Sequence, residues 1–175
     1  MKNNKGFSLV ELIVVIAILT VITSASAVGL GYLYKTNVKS SVKKFNNALI
    51  KTQSYTTTKS AGGKDIGLRI TLENEGYCVE YKGVSTLKKE VIASKKIKIR
   101  YKDSAGNVLQ DGTTPMEIYF DRSTGGLLPY QEDSSGNKTY VKTIEFTNAS
   151  SFDGTSNYSH ITISSLTGKT EVTIN

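Results

Sequence analysis

Residues 5–11 read KGFSLVE and residues 12–22 read LIVVIAILTVI, and this junction decides how the N-terminal third of the chain is organised. Between Glu11 and Lys35 lie 23 residues without a charge. As an α-helix rising about 1.5 Å per residue they would reach about 35 Å, enough to span a hydrocarbon core of about 30 Å. A carboxylate beside such a segment is costly unless it has a partner, so Glu11 requires an explanation.

Two general interpretations of the segment leave Glu11 unexplained. One is a secretory signal peptide with Lys2 and Lys5 as its basic start and Ala25-Ser26-Ala27 as its cleavage site. It would release a soluble secreted β protein that begins at Val28. The other is a plain N-terminal membrane anchor, which requires only length and hydrophobicity. Neither a signal peptide nor an anchor gains stability from a carboxylate next to its apolar run.

A third interpretation gives Glu11 a role. KGFSLVE followed by an apolar run resembles the N-terminus of type IV prepilins and of the pseudopilins of type II secretion, which carry a class III leader. The resemblance implies that a prepilin peptidase cuts between Gly6 and Phe7, that the new N-terminal Phe7 is N-methylated, and that Glu11 acts in subunit assembly. Glu11 of an incoming subunit would then neutralise the Phe7 amine of a neighbour, because an unpaired buried charge costs several kcal/mol.

The same resemblance implies partners and a location. The partners would be other pilin subunits, the prepilin peptidase, a pilus assembly platform protein and the membrane before assembly. The subunit would cross the cell membrane once and would later stand in an extracellular pilus or cell-surface pseudopilus. Lys35, Lys39, Lys43 and Lys44 outnumber the leader lysines, which opposes the positive-inside rule, so the cytoplasmic position of the leader rests on the resemblance.

The hydrophobic pattern predicts an α+β fold with three parts. Residues 1–6 are the leader, residues 7–58 a stem helix that crosses the membrane in its first half, and residues 59–175 a β-rich head. Val38, Val42, Phe45 and Leu49 recur at helical spacing and predict the face that packs on the head. Ala61-Gly62-Gly63 is expected to end the helix.

From residue 66 the apolar residues alternate instead, which is typical of strands. Leu68, Ile70 and Leu72, the turn at 74–76, and Tyr77, Val79 and Tyr81 predict a hairpin. Further alternation predicts strands around residues 97–101, 116–120, 144–146, 161–163 and 172–174. An antiparallel sheet packed on the second half of the helix would bury both apolar faces, as in the pilin family.

The sequence offers no constellation for catalysis or for a cofactor. His160 is the sole histidine and Cys78 the sole cysteine, so a histidine-based metal site, an internal disulfide and a Cys-His pair next to each other in sequence are all excluded. Cys78 is expected to be a small buried side chain and His160 an exposed strand residue. The chain is therefore expected to act as a structural protein and not as an enzyme.

Charge is unevenly distributed in this chain of net charge +7. Residues 12–64 contain seven lysines and no acid, whereas residues 65–175 are nearly balanced. One exception in the head is KKIKIRYK at 95–102, where alternation puts four cations on one strand face: Lys96, Lys98, Arg100 and Lys102. Such a face could bind the phosphates of DNA, as in a pilin for DNA uptake. The alternatives are a charged face that discourages edge pairing or a contact with an acidic neighbour.

Overall fold

The computed structural model describes residues 8–59, 64–148, 151–153 and 158–175, and of residues 24–35 the backbone only. These residues form one α-helix and eleven β-strands, so the predicted α+β class is confirmed. The chain divides into two compact units, residues 1–36 and residues 37–175. The second half of the helix therefore belongs to the same unit as the strands.

Helix α1 runs from Leu9 to Lys59. The predicted start at Phe7 and the stop signal at 61–63 lie outside the described residues, so the predicted bounds of the stem, 7–58, stay a prediction. In the unit 37–175, all four predicted core positions of the helix are buried: Val38, Val42, Phe45 and Leu49. Ala48, Thr52 and Thr56 extend this buried face toward the end of the helix.

Two antiparallel sheets and a short two-stranded sheet make up the rest of the unit 37–175. The strands are β1 (Gly67–Glu73), β2 (Gly76–Lys82), β3 (Glu90–Ala93), β4 (Lys98–Lys102), β5 (Val108–Gln110), β6 (Met116–Tyr119), β7 (Gln131–Glu132), β8 (Lys138–Thr139), β9 (Thr143–Thr147), β10 (Ser159–Ile163) and β11 (Thr170–Thr173). The first sheet has the order β3-β2-β1-β6, the second β11-β10-β9-β4-β5, and β7 pairs with β8.

The predicted hairpin is confirmed by strands β1 and β2, which pair from Gly67 opposite Lys82 to Glu73 opposite Gly76. Other predicted strands correspond to β4, β6, β9, β10 and β11. Sequence alternation missed β3, β5, β7 and β8. Strands β5, β7 and β8 have only two or three residues, which is too few to show a period, and the four residues of β3 (EVIA) end in three consecutive apolar residues and so do not alternate.

A single hydrophobic core joins the helix to both larger sheets. Phe45 of α1 packs edge-to-face on Phe146 of β9, with ring centroids 5.6 Å apart. Ile97, Ile99 and Tyr101, predicted to share the inner face of their strand, are all buried. The basic residues between them therefore lie on the opposite face, because successive side chains of a strand alternate.

Gln53 of the helix ties two similar turns together. Its Nε2 donates hydrogen bonds to the carbonyl oxygens of Gly125 and Thr167, at 2.7 and 2.8 Å. Gly125 N–H donates to the Asp121 carbonyl, and Gly168 N–H donates to the Ser164 carbonyl in the same way. Both glycines have positive φ, 69° and 65°. The hairpin turns at 121–126 and 164–169 thus share one conformation and one contact to the helix.

Candidate functional site

The first candidate site is the start of helix α1. Ser8 is the N-cap residue: its Oγ accepts a hydrogen bond from Val10 N–H at 3.2 Å. Glu11 completes a capping box, because its Oε2 accepts the Ser8 N–H at 3.0 Å. The S-x-x-E spacing is visible in the sequence and would have revealed this role of Ser8, which the sequence analysis missed. The carboxylate predicted to act in assembly thus also stabilises the helix start.

Only one carboxylate oxygen of Glu11 is used in this way. Among the described residues, no hydrogen-bond donor contacts its Oε1. The positions predicted for processing and methylation, Gly6 and Phe7, lie outside the described residues. Cleavage, methylation and the contact of Glu11 with a Phe7 amine therefore stay predictions.

Apolar side chains cover the helix after Glu11. Nine large ones between Leu12 and Ile22 are 49% to 68% exposed, and Leu9 and Val10 before Glu11 are exposed as well. The hydroxyl groups of Thr20 and Thr23 donate to the carbonyls of Ala17 and Leu19, each at 2.8 Å, so these polar groups are satisfied within the helix.

Within the described residues, no helix combines the length and the hydropathy needed to cross a membrane. The predicted membrane span and the alternative cleavage site after Ala27 both stay predictions.

The second candidate site is the basic strand, and the structure divides its four cations into two pairs. Lys96 lies in the turn before β4 and is exposed, as is Lys98 at the strand start. Arg100 and Lys102 are only 15% and 23% exposed in their side chains. Both contact Glu145, which lies opposite Arg100 on the neighbouring strand β9.

Glu145 neutralises this half of the strand face. Arg100 Nη2 lies 2.5 Å and its Nε 2.7 Å from Oε2, and Lys102 Nζ lies 2.9 Å from Oε1. Burial acts to raise the pKa of the Glu145 carboxyl, but the hydrogen bonds from Lys102 and Arg100 hold that pKa below its usual value. The guanidinium also stacks 4.0 Å from the Phe152 ring centroid. Two of the four predicted DNA-binding cations are therefore engaged within the fold.

The residues considered for catalysis lie apart from each other in the fold. Cys78 on β2 is buried, as expected, and burial raises the pKa of its thiol. His160 on β10 is partly exposed, and its Nδ1 lies 3.0 Å from the Tyr158 carbonyl oxygen. In the described part of the chain, no three His, Cys, Asp or Glu side chains are grouped so that they could hold a metal ion.

Comparison with known proteins assigns the N-terminus. Residues 1–27 match the prokaryotic N-terminal methylation motif, which is characteristic of the class III leader of type IV pilins and pseudopilins. That motif is typical of structural proteins and implies processing by a prepilin peptidase. No curated protein matches the chain, and no solved structure matches it. The chain beyond residue 27 is therefore interpreted from its own residues.

Proposed function

We propose that this chain is the precursor of a structural subunit that polymerises into a type IV pilus or pseudopilus after leader cleavage. The observation that carries the proposal is the N-terminal methylation motif at residues 1–27, which contains Gly6, Phe7 and Glu11 at the spacing of a prepilin leader. Cleavage before Phe7 leaves a cationic amine four residues ahead of a carboxylate. Polymerisation then depends on how these two charges are partnered.

The geometry at Glu11 supports pairing between subunits. Oε2 is occupied by the Ser8 N–H of the same chain, so the carboxylate is held at the first turn of the helix. No described residue donates a hydrogen bond to Oε1, so this oxygen can accept one from another subunit. In surroundings of low dielectric constant, a carboxylate with one open oxygen costs several kcal/mol unless a cation neutralises it. A Phe7 amine of a neighbouring subunit supplies that cation and sets the register between the two helices.

The exposed apolar side chains from Leu9 to Ile22 support the same function. A helix that exposes large aliphatic groups on all sides requires lipid or other helices around it, since water disfavours such a surface. In the proposed cycle the subunit waits in the cell membrane and then joins the filament core, where helices of other subunits replace the lipid.

Mass spectrometry of the mature N-terminus, combined with two substitutions of Glu11, tests this function. The mature chain is expected to begin at N-methylated Phe7, and a start at Val28 would identify a secreted protein instead. Glu11→Gln retains an oxygen that accepts the Ser8 N–H but removes the charge. Glu11→Ala removes both the hydrogen bond and the charge.

Both variants are expected to be processed normally and to be lost from sheared filaments at least tenfold. The matched control is Ser8→Ala, which removes the Oγ cap of the helix and keeps the carboxylate. This control is expected to assemble. Glu11→Gln that enters filaments as well as the unmodified chain would overturn the charge-pairing mechanism.

A further inference from the structure

A group of lysines in the unit 37–175 forms no ion pair with any residue that the structure describes. Lys39, Lys43 and Lys44 are exposed on the first turns that α1 contributes to this unit. Lys95 and Lys96 are exposed in the turn between β3 and β4. Together these five residues are called the basic collar below.

One collar lysine of the helix, Lys44, lines a groove that the β3–β4 turn also lines. Ser40, Ser41 and Lys44 line the groove from the helix, and Ser94 and Ile97 line it from the β3–β4 turn. The chain direction explains this placement. Strand β3 runs antiparallel to β2 and ends beside the start of that strand. The turn that follows β3 lines the same groove as the first helical turns of the unit.

Nothing in the described part of the chain neutralises the basic collar. Ion pairs within 4.0 Å involve Lys51, Arg69, Lys82, Lys89, Arg100 and Lys102, and none involves a collar lysine. Glu75 is the sole acidic residue that lines the shared groove. Five exposed cations on these two neighbouring elements raise the local positive potential, so they favour an anionic partner.

A second copy of this chain is a poor source of that partner, because many of its acids are already used. Four glutamates pair with cations of their own chain: Glu73, Glu90, Glu117 and Glu145. Four aspartates accept backbone N–H groups in their own turns: Asp103, Asp111, Asp121 and Asp133. The ion pairs neutralise the four glutamates within their own chain, and the turns hold the four aspartates, which stay ionised, in fixed positions.

The position of the basic collar along the helix points to a lipid surface. The charge-free segment of residues 12–34 ends at Lys35, and Lys39, Lys43 and Lys44 follow within three turns of the same continuous helix. Clusters of lysine directly after a membrane segment bind anionic headgroups. We propose that the basic collar binds the phosphate groups of anionic lipids while the subunit waits in the membrane. The inference rests on the proposed function, since it requires that the N-terminal segment enters lipid.

Lysine acetylation measured by mass spectrometry on the full chain in vesicles tests the inference. The two membranes are pure phosphatidylcholine and an equal mixture of phosphatidylcholine and phosphatidylglycerol. In the anionic vesicles, acetylation of the collar lysines is expected to fall at least threefold. It is expected to recover in 1 M salt, where the Debye length is about 3 Å. Exposed Lys138 and Lys169 are the internal controls and are expected to keep their reactivity.

A pair of charge-matched variants completes the test. The collar variant is expected to abolish the lipid-dependent protection of Lys39. It combines Lys43→Glu, Lys44→Glu, Lys95→Glu and Lys96→Glu. The control variant combines Lys138→Glu and Lys169→Glu and is expected to leave the protection of Lys39 intact. Full protection of Lys39 in the collar variant would contradict the inference.

Three further outcomes separate the inference from the function on which it rests. A chain that floats with neither type of vesicle contradicts the proposed function itself. A chain that floats with both types but shows equal acetylation in each overturns only the lipid contact. Protection that is equal in both membranes and rises with protein density assigns the basic collar to a second subunit, and this also overturns the inference.

Discussion

Two carboxylates of this chain, Glu11 and Glu145, differ in where their partners come from. Glu145 finds its partners inside the fold, from Arg100 and Lys102 on the adjacent strand. Among the described residues Glu11 accepts one hydrogen bond, from the Ser8 N–H, and in the proposed function it receives its cation from another subunit. Pairing of a desolvated carboxylate with a cation therefore stabilises the fold at Glu145 and, in the proposed function, the assembly at Glu11.

At the residue scale, removal of Glu145 is expected to destabilise the head. Glu145→Ala leaves two cations that are 15% and 23% exposed without a counter-ion, so the free energy of unfolding is expected to fall by about 2–3 kcal/mol. Urea denaturation followed by circular dichroism measures the change. The matched control is Glu132→Ala at an exposed position, where a change within about 0.5 kcal/mol is expected. Equal stability of the two variants would show that the ion pairs of Glu145 with Arg100 and Lys102 do not stabilise the fold.

Among the elements, the two turns at 121–126 and 164–169 are the ones whose geometry depends most on glycine. A Cβ on Gly168 would lie 2.1 Å from the carbonyl oxygen of Gly125 and 2.4 Å from Gln53 Nε2. Substitution would therefore separate the two turns from each other and from the helix. The positive φ of 65° adds conformational strain for any residue that carries a Cβ.

A comparison of two glycines separates these costs at the element scale. Gly106 also has positive φ, 86°, but a Cβ there meets no atom within 4 Å. Gly106→Ala is expected to cost about 1 kcal/mol, the conformational cost alone, whereas Gly168→Ala is expected to cost about 3–4 kcal/mol. Thermal unfolding of the two variants gives the comparison. Similar melting temperatures for both variants would mean that the turns do not depend on close backbone contact.

For the molecule as a whole, the turns of the head depend on ionised aspartates. Asp103, Asp121 and Asp133 accept hydrogen bonds from backbone N–H groups in their own turns. The hydrogen bonds from Ser123 and Thr124 lower the pKa of Asp121 to about 2, and those from Asn107 and Asn137 lower the pKa of Asp103 and Asp133. The ionised form of each side chain is thus favoured by the folded state.

The sign of the resulting pH dependence follows from linkage. Because the folded pKa values lie below the unfolded value of about 3.9, these aspartates stabilise the fold fully at neutral pH, and that stabilisation is lost as pH falls from about 4 toward 2. The urea midpoint is expected to drop steeply in this range. Asp121→Asn is expected to make the drop shallower, whereas Glu132→Gln is expected to leave its slope unchanged. If the urea midpoint of Asp121→Asn fell with pH as steeply as that of the unmodified chain, ionised Asp121 would not be a source of the pH dependence.

Local sequence determined the parts of this protein that depend on neighbours along the chain. The leader motif around Gly6 and Phe7, the helical spacing from Val38 to Leu49 and the β1–β2 hairpin could all be predicted, because each is encoded by residues a few positions apart. The capping box from Ser8 to Glu11 is equally local, and its spacing was available in the sequence.

Only the tertiary structure decided which distant residues meet. The register of β4 with β9 places Glu145 opposite Arg100, and this neutralises half of a strand face whose alternation alone predicts four free cations. The pairing of β3 with β2 likewise brings the turn that carries Lys95 and Lys96 to the groove that Lys44 lines. Strand register is set by packing over the whole core and not by the alternation of any one strand, so the charges that stay free became visible only in the folded head.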